Sequence, residues 1–270
     1  MVKESSSMVI NVPTLVAISA IAISLTVGLH EGVHALTCVV VGGNLQEFSA
    51  LHVLCDCPNV WQSKMVAGSA SIANLLLGFL FLYFLRYSEQ KSGEMRFFLW
   101  LTMLLNWVYG AGYWAFSGVA NIGDWATVIA GWNPVWLWRI FMIIIGFAAF
   151  MGFVWKALHE FGRLVHNDIE ALPKHSNKLT YISYFTGILV IASAGLLHPA
   201  GIISLPVLAG LCAVIGATSP LLWMMFWFQA PQFKKVGSEV LSIQFRWPWV
   251  ISGIVVAGLY LLVLAPSIQF

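Results

Sequence analysis

The chain has 270 residues, of which 60% are hydrophobic and 9% charged, and it carries 13 Trp and 18 Phe. Its mean hydropathy of +0.85 excludes an ordinary soluble domain and defines a polytopic membrane protein in contact with the lipid bilayer. The net charge is only +2, and Lys and Arg fall in loops, which argues against a nucleic-acid partner.

Seven apolar stretches are long enough to cross about 30 Å of hydrocarbon. They run over 9–41, 65–85, 97–119, 136–157, 180–197, 202–229 and 248–268. The expected fold is therefore an all-α membrane bundle of about seven transmembrane helices. The first stretch exceeds a signal-peptide core of about 7–15 residues and lacks a convincing cleavage site, which predicts a retained signal-anchor helix. Between the third and fourth stretches lies GVANIGDWATVIAGWNP, too polar and Gly-rich for a plain span and expected to cap or re-enter the bundle. The longest polar loop is 158–179, and no soluble domain, repeat or low-complexity segment is visible.

Lys3, Arg86, Lys91, Arg96, Lys156, Arg163, Lys174, Lys178, Lys234, Lys235 and Arg246 all fall on one side of a seven-span chain, leaving Lys64 and Arg139 on the other. The positive-inside rule then predicts a cytoplasmic N-terminus and an external C-terminus. Trp125, Trp132, Trp136 and Trp138 suit an outer aromatic belt, and Trp247 and Trp249 an inner one. Short loops fit the plasma membrane of a prokaryote. The four cysteines are too few for a disulfide scaffold, and Cys55-Asp56-Cys57 is too tight for an easy bridge. Free thiols are expected, with a redox or metal role for Cys55 and Cys57 as the alternative.

The chemistry is concentrated in GLHEGVHALTCVVVGG, residues 28–43. His30, Glu31 and His34 read H-E-x-x-H, which on a helix turns both imidazoles to one face, with Glu31 about 100° around the axis. Two imidazoles and one further ligand suit zinc with an open fourth position, and the glutamate is then placed to take a proton from a zinc-bound water. An ionised group at mid-membrane costs about 2.5–3.5 kcal/mol, so an unpartnered Glu31 would be hard to retain. A purely structural His/Glu pair is the bland alternative. Glu31 is the only acidic residue inside the apolar stretches, and Asp124 follows the third of them in the segment expected to cap or re-enter the bundle. Asp124 is thus the first choice of third ligand, His52 the main competitor and His198 a weaker one. An N-cap or interfacial turn role is the other reading of Asp124.

These residues resemble the site-2 protease family of intramembrane zinc metalloproteases. Four features carry the resemblance, in the family's order: His30-Glu31-Gly32-Val33-His34 with Ala35 and Gly42-Gly43; Asn44-Leu45-Gln46-Glu47-Phe48-Ser49, similar to a short β-forming segment; Ala70-Ser71-Ile72-Ala73-Asn74, similar to a Gly-Pro-x-x-Asn element; and Gly123-Asp124. Ala70 and Ser71 replace the usual Gly and Pro, and Trp125 stands where Gly often follows the aspartate, so the match is to a divergent member over residues 10–135.

The resemblance implies a three-helix metalloprotease core at 1–135, followed by four spans of unassigned role at 136–270. It implies one Zn2+ per chain on His30, His34 and Asp124, Glu31 as general base, and a membrane-anchored protein as substrate. Asn74 would face the cleft and hold substrate, although an interhelical hydrogen bond is the competing role for it and for Asn106. The segment 44–54 is a candidate edge for holding an unwound substrate, or else a surface loop. A zinc-binding scaffold or sensor without turnover, an ion-conducting transporter, and a zinc hydrolase of non-peptide substrates remain as alternatives. A homo-oligomer is left open.

Overall fold

The computed structural model describes residues 9–165, 172–228 and 241–270. Lys3, Lys234 and Lys235 of the charge count, and 166–171 of the polar loop, lie outside these residues. The motif helix α1 spans Val12–Val40, and α2 and α3 span Val60–Arg86 and Gly93–Ala120. A short α4, Asp124–Ile129, is followed by α5 at Val135–Leu164, α6 at Leu172–Leu197, α7 at Leu205–Thr218, α8 at Pro220–Phe228 and α9 at Trp247–Leu259. The described residues also form three strands, β1 (Asn44–Phe48), β2 (Val53–Asp56) and β3 (Ile268–Gln269).

The long helices start where the sequence offers caps. Asn11 accepts the Thr14 N–H at 3.1 Å ahead of α1, with a proline in its first turn. Asn59 accepts the N–H groups of Trp61 and Gln62 ahead of α2. Most of the segment expected as a polar loop, 158–179, is instead helical, because α5 runs to Leu164 and α6 begins at Leu172.

Among the described residues, six helices are long and apolar enough to cross a membrane. They are Val12–Val40, Val60–Arg86, Val135–Leu164, Ser176–Leu197, Leu205–Phe228 and Trp247–Leu264, which makes this a multi-pass membrane protein. The seventh expected span, 97–119, is the exception. It lies in α3, which is 28 residues long but too polar and aromatic to be among the six. The physical reason is its position. α3 packs between α2 and α5, and Trp100, Leu101, Met103, Leu104 and Trp107 on it are fully buried. A helix screened from lipid by protein on several sides can carry Asn106, Tyr109 and Tyr113. Its neighbour α5 instead presents Phe141, Ile144 and Phe147 outward.

The division at residue 135 is not a boundary in the packing. One hydrophobic core runs from Leu15 and Ile18 on α1 through α3 to Val154 on α5, Ile191 on α6 and Leu211 on α7. The C-terminal helices supply much of that core, and the chain's last strand returns to the sheet. The strand order is β2-β1-β3, antiparallel throughout, with Glu47 opposite Gln269 and Phe48 opposite Ile268. At the far end of α1, about 43 Å away at 1.5 Å per residue, Ile10 bridges Ile243. The two described ends of the chain therefore sit at opposite ends of the bundle.

The expected β segment after the motif helix is β1, with β2 along one flank and β3 against Glu47 and Phe48 on the other. Among the described residues β2 is an edge strand, and it is the one that borders the cleft. Gly42, at φ +79°, turns the chain out of α1. Gly43 sits against a disulfide between Cys38 and Cys55, 2.7 Å from Cys55 Sγ at the point a Cβ would occupy. This bridge corrects the expectation of free thiols for Cys38 and Cys55. The pair is 17 residues apart in sequence, and the α1–β2 approach brings their Cα atoms to 6.0 Å. Cys57 and Cys212 are free, with Cys57 Sγ 3.4 Å from Cys55 Sγ.

Candidate metal centre

His30 and His34 lie on the inner face of α1, both buried, with His30 about 15 Å below the end of the helix. Their positions four apart bring the two Nε2 atoms to 3.3 Å. Asp124 arrives from the other side, as the first residue of α4. Asn121 ends α3 in the left-handed region at φ +56°, and Gly123 follows at φ +81°, ψ −166°, a conformation open essentially to glycine alone. This double turn folds the 118–134 segment back over the end of α2 and α3, and it aims the carboxylate inward. Asp124 Oδ2 lies 3.2 Å from His30 Nε2 and 3.2 Å from His34 Nε2. The N-cap role is not what the side chain performs, because α4 has Gly123 as its cap and no side-chain cap bond.

Two backbone carbonyls fix both imidazole tautomers. His34 Nδ1 is 2.7 Å from the carbonyl of Val66, which can only accept, so Nδ1 carries the proton. The second chain is longer. Asn106 Nδ2 donates to the carbonyl of Thr102 at 2.8 Å, which turns Asn106 Oδ1 toward Asn74. Asn74 Nδ2 donates to that oxygen at 2.8 Å, which turns Asn74 Oδ1 toward His30 Nδ1, 2.6 Å away. His30 Nδ1 therefore donates. In the neutral form that binds a metal, each ring keeps its proton on Nδ1 and directs the Nε2 lone pair at the point that Asp124 Oδ2 also faces.

The three ligand atoms form a triangle of 3.2, 3.2 and 3.3 Å. Ligands on a tetrahedral zinc at about 2.0–2.1 Å stand about 3.3–3.4 Å apart, so the donor set and its spacing fit that ion. The His30 ring is also held by aromatic contacts, with Tyr109 at 4.7 Å and Tyr113 stacked at 5.3 Å between centroids.

Glu31 is 4% exposed and lines a cleft of about 790 Å³ together with His34 and Asp124. The opposite wall is β2 and the turn before it, with Leu51, His52, Val53 and Leu54 among the lining residues. Carboxylate, metal-ligand face and edge strand therefore look into one space.

Asn74 is not on that wall. It is fully buried on α2, and its amide is engaged by His30 and Asn106, so the interhelical hydrogen bond is the role the geometry gives it. The signal available in the sequence was its place in an apolar run, which read equally well as a cleft residue. His52 and His198 do not reach the triangle. They meet each other around Glu47, so two groups of side chains in the described residues are arranged to hold a metal ion. Burial pushes His52 below the ordinary imidazole range, Glu47 works against this, and His198 adds to it. Glu47 and the disulfide were not singled out from sequence, where each is an unremarkable residue on its own.

No protein-family model matches the chain, and no curated protein and no solved structure matches it either. The class rests on the fold and the site alone: a multi-pass membrane protein whose motif helix carries a candidate metal centre.

Proposed function

We propose that the protein is an intramembrane zinc metallopeptidase that cuts membrane-anchored proteins, with its centre on His30, His34 and Asp124. The observation that carries this reading is the triangle of ligand atoms on His30, His34 and Asp124, which opens on the same cleft as Glu31. Zinc bound there would bring the pKa of a water toward 7. Glu31, on the cleft wall, is placed to accept that water's proton and return it to the leaving amine. Asn74 and Val66 hold the two imidazoles in the ligating tautomer. The edge strand β2 offers backbone N–H and C=O groups to a substrate whose helix has unwound. A scaffold that merely bound zinc would have no use for an acid in this position.

Two observations support an orientation with the cleft on the outer side. The Cys38–Cys55 disulfide lies at the cleft end, and disulfides persist in oxidising compartments. Arg86, Lys156 and Arg163 gather around the buried Glu160 at the other end. The cleft would then open outward, with the N-terminus cytoplasmic, as in the plasma membrane of a prokaryote.

The test is the purified chain and Glu31→Gln, each assayed for zinc and against a panel of membrane-anchored proteins. The wild type should cleave at least one substrate, and the variant should lose about 10²–10⁴-fold in rate at unchanged zinc content. Cleavage by the variant at the wild-type rate would remove Glu31 from the chemistry.

A further inference from the structure

Glu47 Oε1 lies 3.6 Å from His52 Nε2 and 3.4 Å from His198 Nε2. His198 is 3% exposed, and its Nε2 faces the carboxylate without making a hydrogen bond to any of the described residues. A buried imidazole nitrogen left in this state leaves a polar group uncompensated, which proteins rarely tolerate. The other two members are set up to receive a cation. Ser49 Oγ lies 3.1 Å from His52 Nδ1 and accepts the His52 backbone N–H at 3.1 Å, which holds the ring with Nε2 toward Glu47. Ser267 Oγ donates to Glu47 Oε1 at 2.7 Å and holds the carboxylate in place. Outer contacts of this kind orient the ligands of metal sites.

We propose that Glu47, His52 and His198 form a second divalent-cation site, which staples the α6–α7 connection to the sheet at the rim of the cleft. Two imidazole nitrogens and one carboxylate suit zinc or a similar borderline ion, whereas calcium and magnesium take oxygen donors. The three ligands come from β1, the β1–β2 turn and the residue after α6, so a bound ion joins elements otherwise far apart in sequence. His52 also lines the cleft, so filling this site stiffens the wall on which β2 stands. One contact must change on loading. The Ala200 N–H lies 3.2 Å from His198 Nδ1, and a cation on Nε2 puts the ring proton on Nδ1. Ala200 is exposed in a turn, where water can take over its N–H. The second site should therefore fill reversibly and bind less tightly than the triangle on α1.

The experiment uses the full chain, purified in detergent on a tag without histidines, stripped with chelator, dialysed against zinc and counted by elemental analysis. The wild type should hold about two zinc ions per chain, and His198→Gln and Glu47→Gln about one each. His30→Ala/His34→Ala should also hold about one, and adding His198→Gln to it should remove that ion. Loading the His30→Ala/His34→Ala chain with cobalt should give visible ligand-field bands that disappear with Glu47→Gln. Gel filtration checks that each variant is folded, and Glu47→Gln decides the matter if His198→Gln is not. A wild-type count that neither His198→Gln nor Glu47→Gln lowers would overturn the second site. A count that His30→Ala/His34→Ala does not lower would overturn the first, so the two failures are distinct.

Discussion

Asn74 on α2 accepts the Nδ1 hydrogen of His30 on α1 at 2.6 Å, and through it a carbonyl on α3 dictates which nitrogen of His30 can meet a metal. Three helices thereby set one tautomer. Removing such an outer contact typically lowers metal affinity about 10–100-fold. Asn74→Ala should weaken zinc binding by that factor, and Asn74→Asp, which keeps an acceptor, should restore most of it. Zinc competition against a chromogenic chelator measures both. Equal affinity for Asn74→Ala and wild type would show that His30 needs no such support.

Gly123 controls the opposite ligand. Its φ of +81° and ψ of −166° lie where a side chain costs about 1–3 kcal/mol. A Cβ would also come within 3.0 Å of Tyr113, whose ring stacks on His30. Gly123→Ala should therefore weaken zinc binding roughly 5- to 100-fold with little change in helix content by circular dichroism. Retained affinity would mean that Asp124 can reach the histidines from another backbone conformation.

The sequence showed one half of the site directly. His30 and His34 share a face because a helix repeats every 3.6 residues, and Asp124 followed from the scarcity of acids near the apolar stretches. The roles of Asn74, Glu47, His52 and His198 depend on which neighbours α2, β1 and α6 acquire in three dimensions, and periodicity carries no such information. The same holds for Cys38 and Cys55, which are joined only because the chain reverses at Gly42-Gly43. For α3 the hydropathy pattern was weak for a physical reason: a central helix need not be apolar all round, since protein rather than lipid surrounds it.

The disulfide gives a count. Unreduced and denatured, the chain should expose two reactive thiols, Cys57 and Cys212, and after reduction four. A bridge closing a loop of this size contributes about 2–4 kcal/mol, so Cys38→Ser should lower the melting temperature measurably. Four reactive thiols before reduction, in protein isolated without reductant, would contradict both the bridge and the outward orientation proposed for the cleft.

The most direct test of the metal centre is anomalous diffraction at the zinc edge from crystals of the full chain grown with zinc. A peak is expected about 2 Å from each of His30 Nε2, His34 Nε2 and Asp124 Oδ2, with Glu31 facing the open side. A map with no peak among these three atoms, or with Asp124 turned away from the histidines, would contradict it.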